Sequence, residues 1–171
     1  MTIAIFTTGG TIDKVYFDAK GAYAVGEPMV REILANGRVT DPIPVVELLR
    51  KDSLEMGPAD RDEIRAAVAR CESTRVVITH GTDTMVETAR VLETVAGKTI
   101  VLTGALQPGR FVDSDASFNL GMAVGVAQVL AAGVYVVANG RVFSAAAVRK
   151  NVDLNRFEAL PAGGRCSAPM G

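Results

Sequence analysis

Short apolar runs rich in β-branched residues alternate along this chain with stretches whose apolar residues recur at helical spacing. Thr2–Thr7, Ile43–Leu49, Arg75–Thr79, Thr99–Thr103 and Val134–Ala138 read as strands, and several are apolar on both faces, as a buried parallel sheet requires. Between them, Pro28–Asn36 reads as a helix ended by Gly37. Ala59–Cys71 places Ile64, Ala67, Val68 and Cys71 on one helical face, and Thr84–Ala96 and Asp115–Ala132 complete the helices. This alternation predicts an α/β fold in three layers, a mostly parallel sheet with helices on both faces. Lys14–Glu27, polar and glycine-bearing, reads as a loop longer than most connections and so as a functional suspect. One domain over residues 1–160 is expected, with residues 161–171, rich in Gly and Pro, as a flexible tail.

Leu120–Ala138 is almost uncharged and about as long as a bilayer span. It contains Gln128, however, and its composition changes from Ala-rich to β-branched at Gly133, so a helix followed by a buried strand is the expected structure and no membrane partner is expected. The N-terminus has no basic segment or cleavage site of a secretory signal. Cys71 and Cys166, far apart in sequence, read as free thiols of a reducing, cytoplasmic compartment.

Charge narrows the function classes further. Eighteen basic against nineteen acidic residues leave a net charge of −1, which lacks the electrostatic footprint of a nucleic-acid binder. One histidine and two cysteines cannot build the usual zinc clusters, and no Gly-x-Gly-x-x-Gly fingerprint follows a strand, so neither a metal nor a cofactor is expected.

Candidate chemistry lies where strands end, since ligands of open α/β sheets sit beyond the carboxyl ends of the strands. The first strand runs into Thr7-Thr8-Gly9-Gly10-Thr11-Ile12-Asp13, whose glycines permit close backbone approach and whose amides suit an anion. A catalytic loop, a phosphate-type loop and a plain turn all fit that segment. Thr79-His80-Gly81-Thr82-Asp83-Thr84 precedes a helix; Asp83 or Thr84 reads equally as an N-cap, and His80 as a packed strand-end residue rather than a base. Thr103-Gly104-Ala105 can aim a backbone N–H into the same crevice.

TTGGTI, HGTDT, VLTGA followed by a proline, and a later VRKN together resemble the bacterial L-asparaginase/glutaminase family, from Thr2 to about Leu160. The resemblance implies an amidohydrolase taking L-asparagine to L-aspartate and ammonia through an acyl-threonine. It matches Thr11 to the nucleophile, Thr82 and Asp83 to the second threonine and its aspartate, and Lys150 to their lysine. Tyr23 corresponds to the tyrosine of a mobile loop that closes over the site. Ser53 corresponds to the carboxylate-binding serine, and Gly10 and Ala105 contribute backbone to substrate binding. A threonine hydroxyl needs a base to attack, and Lys150 acting through Thr82, or Tyr23, can supply one. Leu54 stands where two-domain members carry glutamine, and the resemblance covers only their N-terminal domain, which implies weaker substrate binding. A glutamine-dependent amidotransferase subunit and a small-ligand-binding module are the alternatives. The apolar surface of Phe118–Ala132, together with the family's habit, implies a homo-oligomer.

Overall fold

The computed structural model describes residues 2–17 and 21–160. Along the chain run β1 (Ile3–Gly9), the hairpin strands β2 (Lys14–Phe17) and β3 (Ala22–Val25), α1 (Val30–Asn36), β4 (Val45–Lys51), α2 (Pro58–Arg70), β5 (Arg75–Thr79) and α3 (Met85–Leu92). They are followed by β6 (Thr99–Thr103), α4 (Ala116–Val129), β7 (Gly133–Ala138), β8 (Arg141–Ser144) and a second hairpin, β9 (Val148–Asn151) and β10 (Arg156–Ala159). Six strands form the central sheet in the order β4-β1-β5-β6-β7-β8, all parallel except the β7–β8 pair.

Both faces of this sheet are buried, which is why its strands are continuously apolar rather than alternating. Ile78, Ile100, Leu102 and Val136 point to one face, where Ile64 and Val68 of α2 and Met85, Ala89 and Leu92 of α3 cover them. Their neighbours Val77, Val101 and Val137 point the other way, against Val30 and Ile33 of α1 and Leu120, Ala123 and Ala127 of α4. Three layers result, as expected. Each fully buried aliphatic side chain contributes on the order of 1.5–3 kcal/mol. The α2 start shows the local logic: Pro58 occupies the first turn, where no N–H is needed, and the Asp60 carboxylate accepts the Gly57 N–H at 2.9 Å.

The strand order reverses beside β1. From β1 the chain builds outward to β4, then crosses back to place β5 on the other side of β1. A crevice opens at the carboxyl ends of such a switch point, and here those ends carry the Thr7–Asp13 and Thr79–Thr84 segments. At the outer edges, β4 carries Arg50, paired with Glu47 at 2.7 Å and Glu27 at 2.8 Å, while on β8 the Arg141 guanidinium lies 4.7 Å from the Phe143 ring centre.

Several expectations are corrected. Lys14–Glu27 is not a plain loop: β2 and β3 pair in antiparallel register, with Tyr16 opposite Tyr23 and their ring centres 5.3 Å apart. Four residues per strand are too few to show a period. The helix expected to Ala96 stops at Leu92, after which tighter i→i+3 bonds take over, including Val95 N–H to the Leu92 carbonyl at 2.9 Å. The helix expected to Ala132 stops at Val129, and β7 begins at Gly133. Among the described residues no helix is long and apolar enough to cross a membrane. The expected tail over 161–171, with Cys166, lies outside the described residues.

One backbone position controls the crevice. Gly10 has φ 87° and ψ −170°, a region essentially confined to glycine, and a Cβ there would run into the Gly81 backbone nitrogen. We expect Gly10→Ala to lose at least about 1–3 kcal/mol in chemical denaturation from the backbone term alone; an unchanged unfolding midpoint would show that the loop has an unstrained alternative.

Candidate active site

Four loops meet at three glycines. Gly10 packs on the backbone of Gly81, and a Cβ on Gly81 would lie 2.5 Å from the Ser53 Oγ. A Cβ on Gly104 would collide with the His80 carbonyl, which brings the loop after β6 against the same point. Residues 10, 53, 81 and 104 come from the ends of β1, β4, β5 and β6, so one close-packed knot of backbone joins neighbouring strand ends. The Gly10 N–H donates to the Lys51 carbonyl at 2.9 Å, tying the turn to the end of β4. What Gly10 contributes is the lack of a side chain.

Around this knot stand the expected side chains. Thr11 opens a short 3-10 turn and is half-buried. Thr82 is buried, and the Lys150 Nζ donates to its Oγ1 at 3.1 Å. Lys150 also donates to the Asn155 Oδ1 at 2.8 Å and sits 5.1 Å from the Phe157 ring centre, so the β9–β10 hairpin holds it in place. Burial holds the Lys150 ammonium below its ordinary value, with Asp83 and Asp115 pulling the other way. The Ser53 Oγ is buried without a partner, a polar atom ready for a ligand. Asp52 caps its turn through the Leu54 N–H at 3.1 Å, and the Thr84 Oγ1 donates to the Ser53 carbonyl at 2.8 Å. Thr84 therefore ties two loops together rather than capping α3. Leu54 is exposed.

Tyr23 lies on the β2–β3 hairpin, 52% exposed, with the Tyr16 ring as its neighbour.

The wall beyond Ala105 rests on residues that sequence reasoning missed. The Asp115 carboxylate accepts the N–H groups of Leu106 and Gln107 at 3.0–3.1 Å and the Asn119 amide at 2.9 Å. The Asn119 Nδ2 also donates to the Gly104 carbonyl at 2.9 Å, and its Oδ1 accepts the Asn139 N–H at 2.8 Å, bolting the end of β6 to the end of β7. A buried asparagine four residues after an acidic residue was the available signal, because it makes little sense on an apolar helix face. Among the described residues no group of three His, Cys, Asp or Glu side chains is placed to hold a metal.

The sequence model described as "Asparaginase, N-terminal" matches residues 2–164. The chain belongs to the asparaginase family. It is 34% identical over 161 residues to the probable periplasmic L-asparaginase of Haemophilus influenzae, covering 86% of this chain and 46% of that protein. Against L-asparaginase 2 of Escherichia coli the identity is 32%, covering 92% and 49%. The thermostable L-asparaginase from Thermococcus kodakarensis has the same fold, with a TM-score of 0.79 at 30% identity over 93% of this chain and 51% of that one. The probable cytoplasmic L-asparaginase from Campylobacter jejuni also scores 0.79 at 30% identity, over 92% and 52%. The chain thus spans about half the length of the asparaginases it matches.

His80, the chain's sole histidine, directly follows β5 and is fully buried. Its Nδ1 lies 2.8 Å from the Gly81 carbonyl, which can only accept, so Nδ1 carries the proton; Nε2 then accepts from the Thr88 hydroxyl at 2.9 Å. Burial lowers its pKa to about 4, against a partial opposing pull from the Gly81 carbonyl. As the unfolded value is 6.5, the imidazole's contribution is intact above 6.5 and is lost as pH falls through about 4. We expect its ring nitrogen resonances to remain those of the neutral Nδ1–H form until the pH approaches 4; protonation with a midpoint near 6.5 in the folded protein would contradict the buried assignment.

Proposed function

We propose that this chain hydrolyses the side-chain amide of L-asparagine to L-aspartate and ammonia. The observation that carries the reading is the Lys150–Thr82 contact of 3.1 Å, set beside the Gly10–Gly81–Ser53 knot. A lysine half-withdrawn from water, with its pKa held down by burial, is a proton acceptor within reach of a buried hydroxyl. The membership in the asparaginase family supports the substrate class.

In this reading the substrate carboxylate takes the unpartnered Ser53 hydroxyl, and Asp83 takes its ammonium. The Thr11 hydroxyl oxygen adds to the amide carbon, with Thr82, Lys150 and Tyr23 handling its proton, and backbone donors beside Thr82 and Ala105 meet the developing oxyanion. That proton ends on the departing nitrogen, which leaves as ammonia. Water then splits the acyl-threonine ester, restoring the hydroxyl and releasing aspartate. A reducing, cytoplasmic setting belongs to the same reading, supported by the half-buried Cys71 thiol, free among the described residues, and by the likeness to the Campylobacter protein.

Ammonia release from asparagine and glutamine tests it directly. We expect turnover of asparagine, a loss of about a thousandfold or more in Thr11→Ala, and a loss of about a hundredfold or more in kcat for Lys150→Met with KM little changed. The free amine of Lys150 is the competent base, so kcat should climb as pH rises through a midpoint below 10.5. A folded Thr11→Ala variant with normal turnover would sink the threonine mechanism.

We also propose that the chain self-associates through α4. Phe118 and Val129 are exposed on that helix, and the flanking positions Gly121 and Gly125 leave open space beside them, a surface shaped for close approach of a second copy. Light scattering should show an oligomer that Phe118→Glu weakens; a monomer at every concentration would defeat this.

A further inference from the structure

The arm that carries Tyr23 hangs from the turn that carries Thr11, and one residue makes the join. Asp13 closes that turn and is 1% exposed. Its N–H donates to the Gly10 carbonyl at 3.1 Å, and its own carbonyl accepts the Gly26 N–H at 2.7 Å, where the chain leaves β3. Its Oδ1 accepts the Met29 N–H at 2.9 Å, just before α1. Its Oδ2 is buried with no partner. Both legs of the arm are thus tied to the nucleophile's turn at a single residue. A buried carboxylate oxygen without a partner costs free energy that an apolar residue would not. Stability alone does not account for an acid here.

We propose that Asp13 is a positioning residue for the hydrolysis: its carboxyl pins the returning leg of the arm to the Thr11 turn and so sets where Tyr23 stands relative to the nucleophile. The inference rests on the asparaginase reading above. Ionisation adjusts the pin. Burial raises this carboxyl to about 6; the Met29 N–H pulls it down, Glu47 on β4 pushes it up, and Arg110 and Arg50 draw it down. Above that pH the bond to Met29 is charge-assisted, roughly twice as strong as its neutral counterpart. Stability runs the other way. The folded value lies above the ordinary 3.8, so this group's contribution is complete below 3.8 and is lost as pH rises through about 6.

The test compares parent, Asp13→Asn and Asp13→Ala. The chain has three tyrosines and no tryptophan, and Tyr16 and Tyr23 pack on the arm with ring planes tilted by 59°, so the near-ultraviolet circular dichroism of tyrosine reports the arm directly. In the parent, the KM for asparagine should fall and the tyrosine signal should change as pH rises through about 6. Asp13→Asn keeps an oxygen for Met29 but cannot ionise; both profiles should lose that midpoint, and its Tm should gain on the parent's as pH rises from 3.8 to about 6. Asp13→Ala should raise KM by about tenfold or more at neutral pH, the loss of one charged hydrogen bond, and weaken the tyrosine signal. The proposal is overturned if Asp13→Asn keeps the parent's midpoint in both profiles, or if Asp13→Ala keeps the parent's KM and tyrosine signal. A parent that releases no ammonia defeats the hydrolase reading, and the tyrosine profile still decides on the pin. If Asp13→Ala does not fold, Asp13→Asn decides by itself.

Discussion

The site exists because backbone can touch backbone at the ends of β1 and β5. Parallel neighbours in a sheet stand about 4.8 Å apart, and loops leaving them normally diverge to make room for side chains. Gly10 against Gly81, and Gly81 against Ser53, remove that requirement. The Thr11 turn, the Thr82 loop and the Ser53 turn are thereby held within one small volume. Everything else reinforces the arrangement: the reversal of strand order that opens the crevice, the Thr84 hydroxyl on the Ser53 carbonyl, and the neutral His80 that fastens the base of the Thr82 loop to Thr88 on α3.

Two sides of the site are built differently. On the Ala105 side, Asp115 and Asn119 accept and donate enough hydrogen bonds to fix the loop between β6 and α4 from several directions. On the Tyr23 side, a two-stranded ribbon stands apart from the central sheet and is attached at its base through Asp13, Gly26, Met29 and the Lys14–Asp52 pair at 2.7 Å. Isolated two-stranded ribbons are marginal in water, so such a ribbon takes its position from its anchors rather than from its own pairing.

How legible this was depended on the length scale of each signal. Continuous runs such as Arg75–Thr79 and Thr99–Thr103 declared buried parallel strands, and their bounds hold to the residue. Thr11, Ser53, Thr82 and Lys150 were read from one family's motifs, and the fold sets Lys150 on Thr82 and Gly81 against Ser53. The pairs β2–β3 and β9–β10 were not legible, since four residues cannot display a period. Asn155 was invisible for a related reason: its value lies in reaching Lys150 across a turn, a contact that only the folded hairpin creates. Asp115 read as the start of a helix, and only the folded loop shows that it accepts N–H groups from residues before it.

The two rims of the central sheet decide how copies of this chain can meet. An open strand edge is a template on which another strand can add, and proteins that must stay soluble obstruct it with charge, proline or brevity. Here Pro42 and Pro44 lead into β4, the Glu27–Arg50–Glu47 cluster rides along it, and the opposite rim ends in a four-residue strand under Arg141. Ribbon-on-ribbon growth from either rim is therefore disfavoured, and crowding of this protein should produce discrete helix-to-helix contacts rather than extended sheets.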